Sequence, residues 1–370
     1  VGVTGTNGKT TTSALIGHLL RAAGWSVATA TTVGTAVNGE PRPGVTAFAD
    51  VLRAAEGCRA VVQETTSFAL GHGLARIAAF DAGVFTNLTH DHLDQHRGSY
   101  EHYLAAKAQL FLSLARSPRP DPVAVLPAAS PATPLLREVL DPRVRCVTWG
   151  WAEAGPADLA GTFDAAGLSV GGLAVPNALV GRHLAENVLA ALALVTALGL
   201  PLADAARAVA DFAPVPGRFE VVNPGRRPVV VVDYAHSPDA LARTLEAARA
   251  RTSGRLWLVF GCGGERDAEK RPVMGRIARE RADVVVVTTD NPRSEDPAQI
   301  AAQILSGVGD DATVIDDRAA AITHAVSRAA PDDLVLIAGK GHERTQALPG
   351  GEVPFDDRRV ASDALASRTD

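Results

Sequence analysis

Cysteine is scarce in this chain, and its three residues, Cys58, Cys146 and Cys262, are odd in number and far apart. That excludes a disulfide framework and gives no spacing for a cysteine zinc site. Positive charge is not in excess either: the net charge is −5, so no basic field spreads over the surface for nucleic acid. Any phosphate binding must be local to a site. Apolar runs stay shorter than the ~18 residues a membrane span needs, and nothing resembles a signal peptide, so the cytoplasm is the expected compartment and no membrane partner is expected. The chain opens on Val1 rather than methionine, directly in a core-type strand. We therefore expect an N-terminal segment, as large as a domain, to precede it in the natural protein.

What is present suits two globular domains: 370 residues, 46% apolar and 21% charged. Short apolar runs alternate with helical patterns. Strands are expected near residues 26–32, 59–64 and 82–87, with a turn-rich stretch over 34–44 and helices over 47–55 and 100–114. Residues 115–180 read as peripheral ribbons of the sheet, with strands at 123–126, 144–149 and 168–175. Helices follow over 181–198 and 201–212. Two prolines and a glycine in Pro214-Val215-Pro216-Gly217-Arg218 preclude continuous helix or sheet and mark a hinge. A second alternating unit then places strands at 229–233, 256–260, 284–288 and 334–338. The expected architecture is α/β: a doubly wound sheet domain over 1–215, then a Rossmann-like α/β domain over 216–370.

The first dozen residues organise the first domain. Val1-Gly2-Val3 is a short β-branched strand, Thr4-Gly5-Thr6-Asn7-Gly8-Lys9-Thr10-Thr11 is a glycine-bounded loop, and Leu15, Ile16, Leu19 and Leu20 follow with helical spacing. Glycines let backbone N–H groups close round an anion, and a helix N-terminus adds partial positive charge. Lys9 supplies a mobile ammonium, and Thr10 a hydroxyl for an accompanying Mg²⁺. Glu64 ends one apolar strand, and the segment Phe85-Thr86-Asn87-Leu88-Thr89-His90-Asp91-His92 ends another. Carboxylate and imidazole at two strand ends beside a phosphate loop are what a Mg·ATP site requires.

These segments resemble the ATP-dependent Mur ligases. So do Tyr103-Leu104-Ala105-Ala106-Lys107 and Asp233-Tyr234-Ala235-His236-Ser237-Pro238. Phe260-Gly261-Cys262-Gly263-Gly264-Glu265-Arg266, Asp290-Asn291-Pro292-Arg293 and Ala338-Gly339-Lys340-Gly341-His342-Glu343 are similar to the branch called MurE. That branch adds a diamino acid to UDP-N-acetylmuramoyl-L-alanyl-D-glutamate in peptidoglycan synthesis. The likeness spans the family's central and C-terminal domains and leaves out its uridine-gripping N-terminal one.

The resemblance implies the roles. The loop residues Gly5 to Thr11 would hold ATP, with Lys9 on its β- and γ-phosphates. Thr10 and Glu64 would bind one Mg²⁺ and His92 a second, supported by Lys107 carbamylated to N6-carboxylysine. Asn187 would contact adenine, and Arg218, Asp233 and His236 the ribose and phosphates after closure about the hinge. Arg266, Asn291, Arg293, Gly339 and Glu343 would take the diamino acid, with meso-diaminopimelate favoured by the Asp-Asn-Pro-Arg form. A guanidinium fork suits a second carboxylate, and a glutamate suits an ammonium. A monomer acting on small molecules is implied.

Two stretches depart from that pattern, both where the acceptor carboxylate would sit. Gly44-Val45-Thr46-Ala47 keeps one hydroxyl, and Glu64-Thr65-Thr66-Ser67-Phe68-Ala69-Leu70 puts Phe68 where the family has histidine. Thr66 can replace a serine hydroxyl; the family's binding arginine falls on Leu74, with Arg76 two positions on. Two other readings stay open: a related ligase recruited to a different carboxylate, and a nucleotide-binding scaffold without catalysis. Retention of Lys9, Thr10, Glu64, His92 and Lys107 together argues against the scaffold, which needs no second metal.

Overall fold

The computed structural model describes residues 1–89, 96–176, 181–225, 227–309 and 311–368, in two compact units that meet in sequence at Ala213/Pro214. Each is built on one sheet.

In the first unit the strands are β1 (Gly2–Thr4), β2 (Val27–Thr31), β3 (Gly34–Val37), β4 (Glu40–Pro41), β5 (Ala60–Glu64), β6 (Ala82–Phe85), β7 (Val123–Pro127), β8 (Arg145–Trp151), β9 (Leu159–Asp164), β10 (Gly167–Val170) and β11 (Leu173–Val175). Their spatial order is β11-β10-β9-β8-β7-β6-β1-β5-β2-β3-β4. From β9 to β2 every neighbouring pair is parallel, and the two flanks are antiparallel. Parallel strands carry side chains into apolar layers on both faces, which is why Val3, Val62, Val84 and Val125 are fully buried.

The helices are α1 (Lys9–Ala22), α2 (Phe48–Ala54), α3 (Ser67–Gly71), α4 (Leu74–Ile77), α5 (Tyr100–Ser113), α6 (Ala132–Glu138), α7 (Arg182–Ala197) and α8 (Leu202–Ala208). Helix α7 is nearly all apolar from Val188 to Val195, and it is buried against α1 and the sheet. The chain runs outward from β1 through α1 to β2 and later returns past β1 to β6, so β1 lies where the winding reverses. Crevices beyond the C-terminal ends of strands at such a point are where α/β sheets take ligands. Register sets the levels there: Val3 lies opposite Glu64, and Thr4 opposite Phe85.

The second unit has β12 (Glu220–Val221), β13 (Val229–Asp233), β14 (Leu256–Phe260), β15 (Val284–Val287), β16 (Thr313–Val314) and β17 (Leu334–Ala338), in the order β12-β13-β17-β14-β15-β16. Only β12 is antiparallel. Helices α9 (Pro238–Arg249), α10 (Lys270–Arg281), α11 (Pro297–Val308), α12 (Arg318–Arg328) and α13 (Asp357–Ala366) surround it, and β18 (Thr345–Leu348) pairs with β19 (Gly351–Pro354). One face of its core is formed by Val230, Val232, Val259, Ile322, Val326 and Ile337.

Three local expectations need correction. Residues 34–44 hold the antiparallel pair β3–β4. Residues 168–175 are two strands reversing at Gly171-Gly172, whose φ values of 57° and 77° make the turn. Strands β7 and β8 are parallel strands of the sheet proper rather than peripheral ribbons.

Candidate active site

The loop between β1 and α1 is folded over Asn87. The Thr6 amide donates to the Asn87 carbonyl at 2.9 Å, and the Asn7 amide donates to Asn87 Oδ1 at 2.8 Å. Thr86 Oγ1 in turn donates to the Asn7 carbonyl at 2.6 Å. Two glycines are required by space as well as by angle. A Cβ on Gly5 would collide with Thr86 Oγ1, and one on Gly8, whose φ is 82°, would collide with Asn187 Oδ1. The N-cap of α1 is Gly8, which offers no side chain to the first turn, and Lys9 Nζ lies at 2.6 Å from the Thr6 carbonyl. Thr11 is buried in that turn.

Glu64 is buried at the end of β5, and its Oε2 collects three donors: Thr10 Oγ1 at 3.0 Å, the Thr32 amide at 3.0 Å and Thr32 Oγ1 at 3.3 Å. Hydroxyl and carboxylate oxygens beside a phosphate loop fit hard Mg²⁺, which takes oxygen ligands and keeps several waters. Among the described residues no three His, Cys, Asp or Glu side chains gather around one point, so this fit rests on threonine oxygens as much as on the carboxylate. Thr32 is a member that sequence reasoning missed; its signal is the second threonine of Thr31-Thr32 immediately after β2.

Lys107 lies on the inner face of α5, 1% exposed. Its Nζ donates to the Gly5 carbonyl at 2.6 Å and sits 4.2 Å from the centre of the Tyr103 ring. Tyr103 donates its hydroxyl to Thr6 Oγ1 at 3.2 Å, and its ring meets that of His96, which contacts Ser67 Oγ at 2.9 Å. Helix α5 thus brings Lys107 to the underside of the phosphate loop. His92 lies outside the described residues.

Asn187 is buried on α7, and its Oδ1 accepts from Thr12 Oγ1 at 3.3 Å beside Gly8. Thr66 caps α3, its Oγ1 accepting from the Ala69 amide at 3.1 Å. Arg76 is exposed on α4, and Phe68 is 55% exposed with its ring on His72, centroids 4.0 Å apart. Of the acceptor-side residues Arg76 is thus exposed and Thr66 half-buried at the start of α3.

In the second unit the segment 214–218 is a tight turn: the Arg218 amide donates to the Val215 carbonyl, and Gly217 packs on the backbone of Gly341 and His342. The Arg218 guanidinium stacks on Tyr234 at 4.2 Å, and Tyr234 is flanked by His236 and His342. Asp233 is turned inward. Its Oδ2 accepts from the Phe219 amide at 2.7 Å, and its Oδ1 from the Ala235 amide at 2.8 Å and from Thr244 at 3.2 Å.

The remaining residues meet beyond the C-terminal ends of β14, β15 and β17. Asn291 Nδ2 donates to Glu343 Oε2 at 2.8 Å, and Lys340 Nζ donates to both Asn291 Oδ1 and Glu343 Oε2, each at 2.8 Å. Arg293, at φ 55°, fixes Nη1 on the Gly264 carbonyl at 2.6 Å; its Nε and Nη2 donate to no group among the described residues. Arg266 lies on the same glycine turn, close to Gly263, and is exposed. Gly339 has φ 119°, and a Cβ there would strike the Asp290 carboxylate. Behind them Arg318 makes a forked pair with Asp357 at 2.7 and 2.8 Å, both side chains wholly buried, and Arg271 pairs with Glu295 at 2.9 Å. Burial opposes the Arg318 charge, but Asp357, Asp290 and Glu343 together outweigh it and hold the pKa above the usual arginine range. Lys340, Arg318 and Arg271 were not foreseen; burial of a long cation is invisible in one sequence.

The profile of the Mur ligase middle domain matches residues 3–195, and that of the Mur ligase glutamate ligase domain matches residues 217–341. The chain belongs to the Mur ligase family, whose members are ATP-dependent enzymes that form amide bonds. Among curated relatives, the UDP-N-acetylmuramoyl-L-alanyl-D-glutamate–2,6-diaminopimelate ligase of Synechococcus elongatus is 43% identical, over all of this chain and 76% of its own length. The ligase of the same name from Geobacillus thermodenitrificans is 40% identical, over all of this chain and 79% of its own. A solved structure of a ligase of that name is 34% identical, with a TM-score of 0.66, covering 99% of this chain and 78% of that one. Folylpolyglutamate synthase of Mycobacterium tuberculosis, complexed with ADP and AMPPCP, shares the fold at 20% identity and a TM-score of 0.73, over 100% and 91% of the two chains.

Proposed function

We propose that this protein joins a diamino acid, meso-diaminopimelate, to the D-glutamyl carboxylate of UDP-N-acetylmuramoyl-L-alanyl-D-glutamate, at the expense of ATP, in peptidoglycan synthesis. The observation that carries the reading is the second unit's grouping of opposite charges at one set of strand ends: an arginine whose Nε and Nη2 donate to none of the described residues, and a glutamate held by an asparagine and a buried lysine. That is a receptor for the carboxylate and ammonium of one zwitterionic group.

The chemistry needs no strong protein acid or base at its first step. An oxygen of the acceptor carboxylate attacks the γ-phosphorus of ATP, ADP leaves, and an acyl phosphate results. The diamino acid nitrogen then attacks the acyl carbon, phosphate departs and the nitrogen loses a proton. Charge crowding is the barrier, so positioned cations and donors dominate. Lys9 and the α1 amides hold the phosphates, and Asn187, on the wall beside Gly8, receives the adenine. Mg²⁺, held through Thr10 and Glu64 with Thr32 orienting the carboxylate, would neutralise phosphate charge. Arg218 and His236 serve the nucleotide, whereas Asp233 acts by fixing the turn that presents Arg218. His92 is assigned to a second Mg²⁺. Lys107 would be carbamylated, its neutral amine adding to CO₂ and losing a proton; one N–H would remain to donate to Gly5, and the new carboxylate would support that second metal. Thr66 and Arg76 are assigned to the acceptor, Thr66 while also capping α3.

The test is phosphate release by the full-length protein with the UDP-muramoyl dipeptide and each of meso-diaminopimelate, lysine and ornithine, the product weighed by mass spectrometry. Release that needs both the dipeptide and diaminopimelate is expected. Mg·ATP binding with no release on any amine contradicts the proposal, and turnover on a different carboxylate would point to a recruited ligase.

A further inference from the structure

Lys340 enters the roles above only as a group that holds Glu343, and it is wholly enclosed: its side chain is 0% exposed, as is that of Arg318, whereas that of Glu343 is 29% exposed. It cannot reach a bound amino acid. Its Nζ closes a three-membered ring of hydrogen bonds, to Asn291 Oδ1 and Glu343 Oε2, with Asn291 Nδ2 also on Glu343 Oε2. The Ala347 amide adds a second donor to Asn291 Oδ1 at 3.0 Å, so the amide can sit only one way round. Glu343 is thereby held by one oxygen, and its Oε1 accepts nothing from the described residues.

Charge bears on the choice of ligand. Lys340 is paired with Glu343, and Arg318 with Asp357 and, at 4.0 Å, with Asp290, so these buried charges are met within the site before any ligand enters. A balanced receptor suits a far end that is itself balanced, an ammonium with a carboxylate. An amino acid whose far end is an ammonium alone brings a charge that Lys340 repels and leaves Arg293 unpaired.

We infer that Lys340 is a positioning and specificity residue, selecting a zwitterionic over a purely cationic side chain by fixing Glu343 and cancelling its charge. This rests on the amine-binding reading of the site. Breaking a buried ion pair from one side is costly, and specificity is a difference between two affinities.

The experiment measures kcat and KM of the full-length protein for ATP, diaminopimelate, lysine and ornithine in wild type, Lys340→Met, Glu343→Gln and the double variant. In Lys340→Met the KM for diaminopimelate should rise about tenfold or more, the KM for ATP should stay put, and the lysine-to-diaminopimelate ratio of kcat/KM should rise about tenfold. Because Lys340 acts through Glu343, its substitution should add nothing to that ratio in the Glu343→Gln background. An unchanged ratio in the single variant, additive effects in the double, or parallel rises in the ATP and amine KM values overturn the inference. Should Lys340→Met fail to fold, the double variant, which leaves no unpaired charge, decides: the same ratio as Glu343→Gln alone supports the role, and a further shift overturns it. Wild type that turns over none of the amines overturns the proposed function itself, an outcome distinct from active wild type with an unmoved ratio.

Discussion

The two units carry sites at the C-terminal ends of parallel strands, yet they are held together by different means. Around the phosphate loop hydrogen bonds to backbone and to one carboxylate do the fastening: Asn87 and Thr86 hold the loop's backbone, Thr32 donates to Glu64, Thr12 donates to Asn187, and Lys9 and Lys107 each donate to a carbonyl oxygen at 2.6 Å. In the second unit the fastening is ionic: Arg318 with Asp357, Arg271 with Glu295, Lys340 with Glu343. The ligands account for the difference. A polyphosphate brings its own dense charge and needs amides and mobile cations that can turn toward it. A zwitterion brings none in sum, so both of its charges must be met by groups fixed beforehand, and only buried, mutually paired side chains stay fixed.

That contrast can be broken most severely at Lys107. If the amine is a carbamate in the working enzyme, Lys107→Ala should lose about a thousandfold in kcat, on the scale of removing a metal's support. Formate or acetate should restore a substantial part, measured as phosphate release with and without the acid. Full activity without rescue would mean that the buried amine is only a prop for Gly5.

The next effect is on stability and belongs to the ionic unit. Arg318→Met should destabilise the second unit by about 3–5 kcal/mol, since Asp357 is left charged and enclosed. Arg318→Met with Asp357→Leu should recover most of that. Urea unfolding followed by the fluorescence of Trp257, which lies in that unit, separates the two cases; equal loss in both would show that the pair acts by shape rather than charge.

The smallest effect concerns the thiol beneath the same site. Burial pushes Cys262 up to about 12. An unfolded thiol ionises near 8.5, so between that pH and about 12 the unfolded state binds fewer protons than the folded one, and stability must fall as pH rises. Between about pH 8.5 and 9.5 wild type should therefore lose about 1 kcal/mol more than Cys262→Ala, a difference obtained from denaturation midpoints. Parallel slopes would contradict an enclosed, neutral thiol.

Much of this was readable in the sequence, for physical reasons. Strand–loop–helix order at Val1 to Leu20 follows from β-branched residues, glycines and a helical stripe, all local signals. Glu64 at a strand end and the second unit's strands were legible for the same reason. What escaped is what depends on partners far along the chain: Thr32 on Glu64, Asn187 against Gly8 and Lys340 under Asn291 join residues 32, 179 and 49 positions apart. The hairpin at Gly171-Gly172 was missed because apolar alternation continues across it. Asp233, expected at the nucleotide, has both oxygens accepting from amides of its own unit, an anchoring that no local pattern displays.

The central claim is that amide formation runs through an acyl phosphate, and oxygen transfer tests it most directly. The full-length protein is given UDP-muramoyl dipeptide labelled with ¹⁸O in the D-glutamyl carboxylate, with ATP and diaminopimelate, and the released phosphate is analysed by mass. The mechanism predicts one labelled oxygen in each phosphate formed with product. Unlabelled phosphate would show that water, not the carboxylate, takes the phosphoryl group, and would leave the protein an ATPase rather than a ligase.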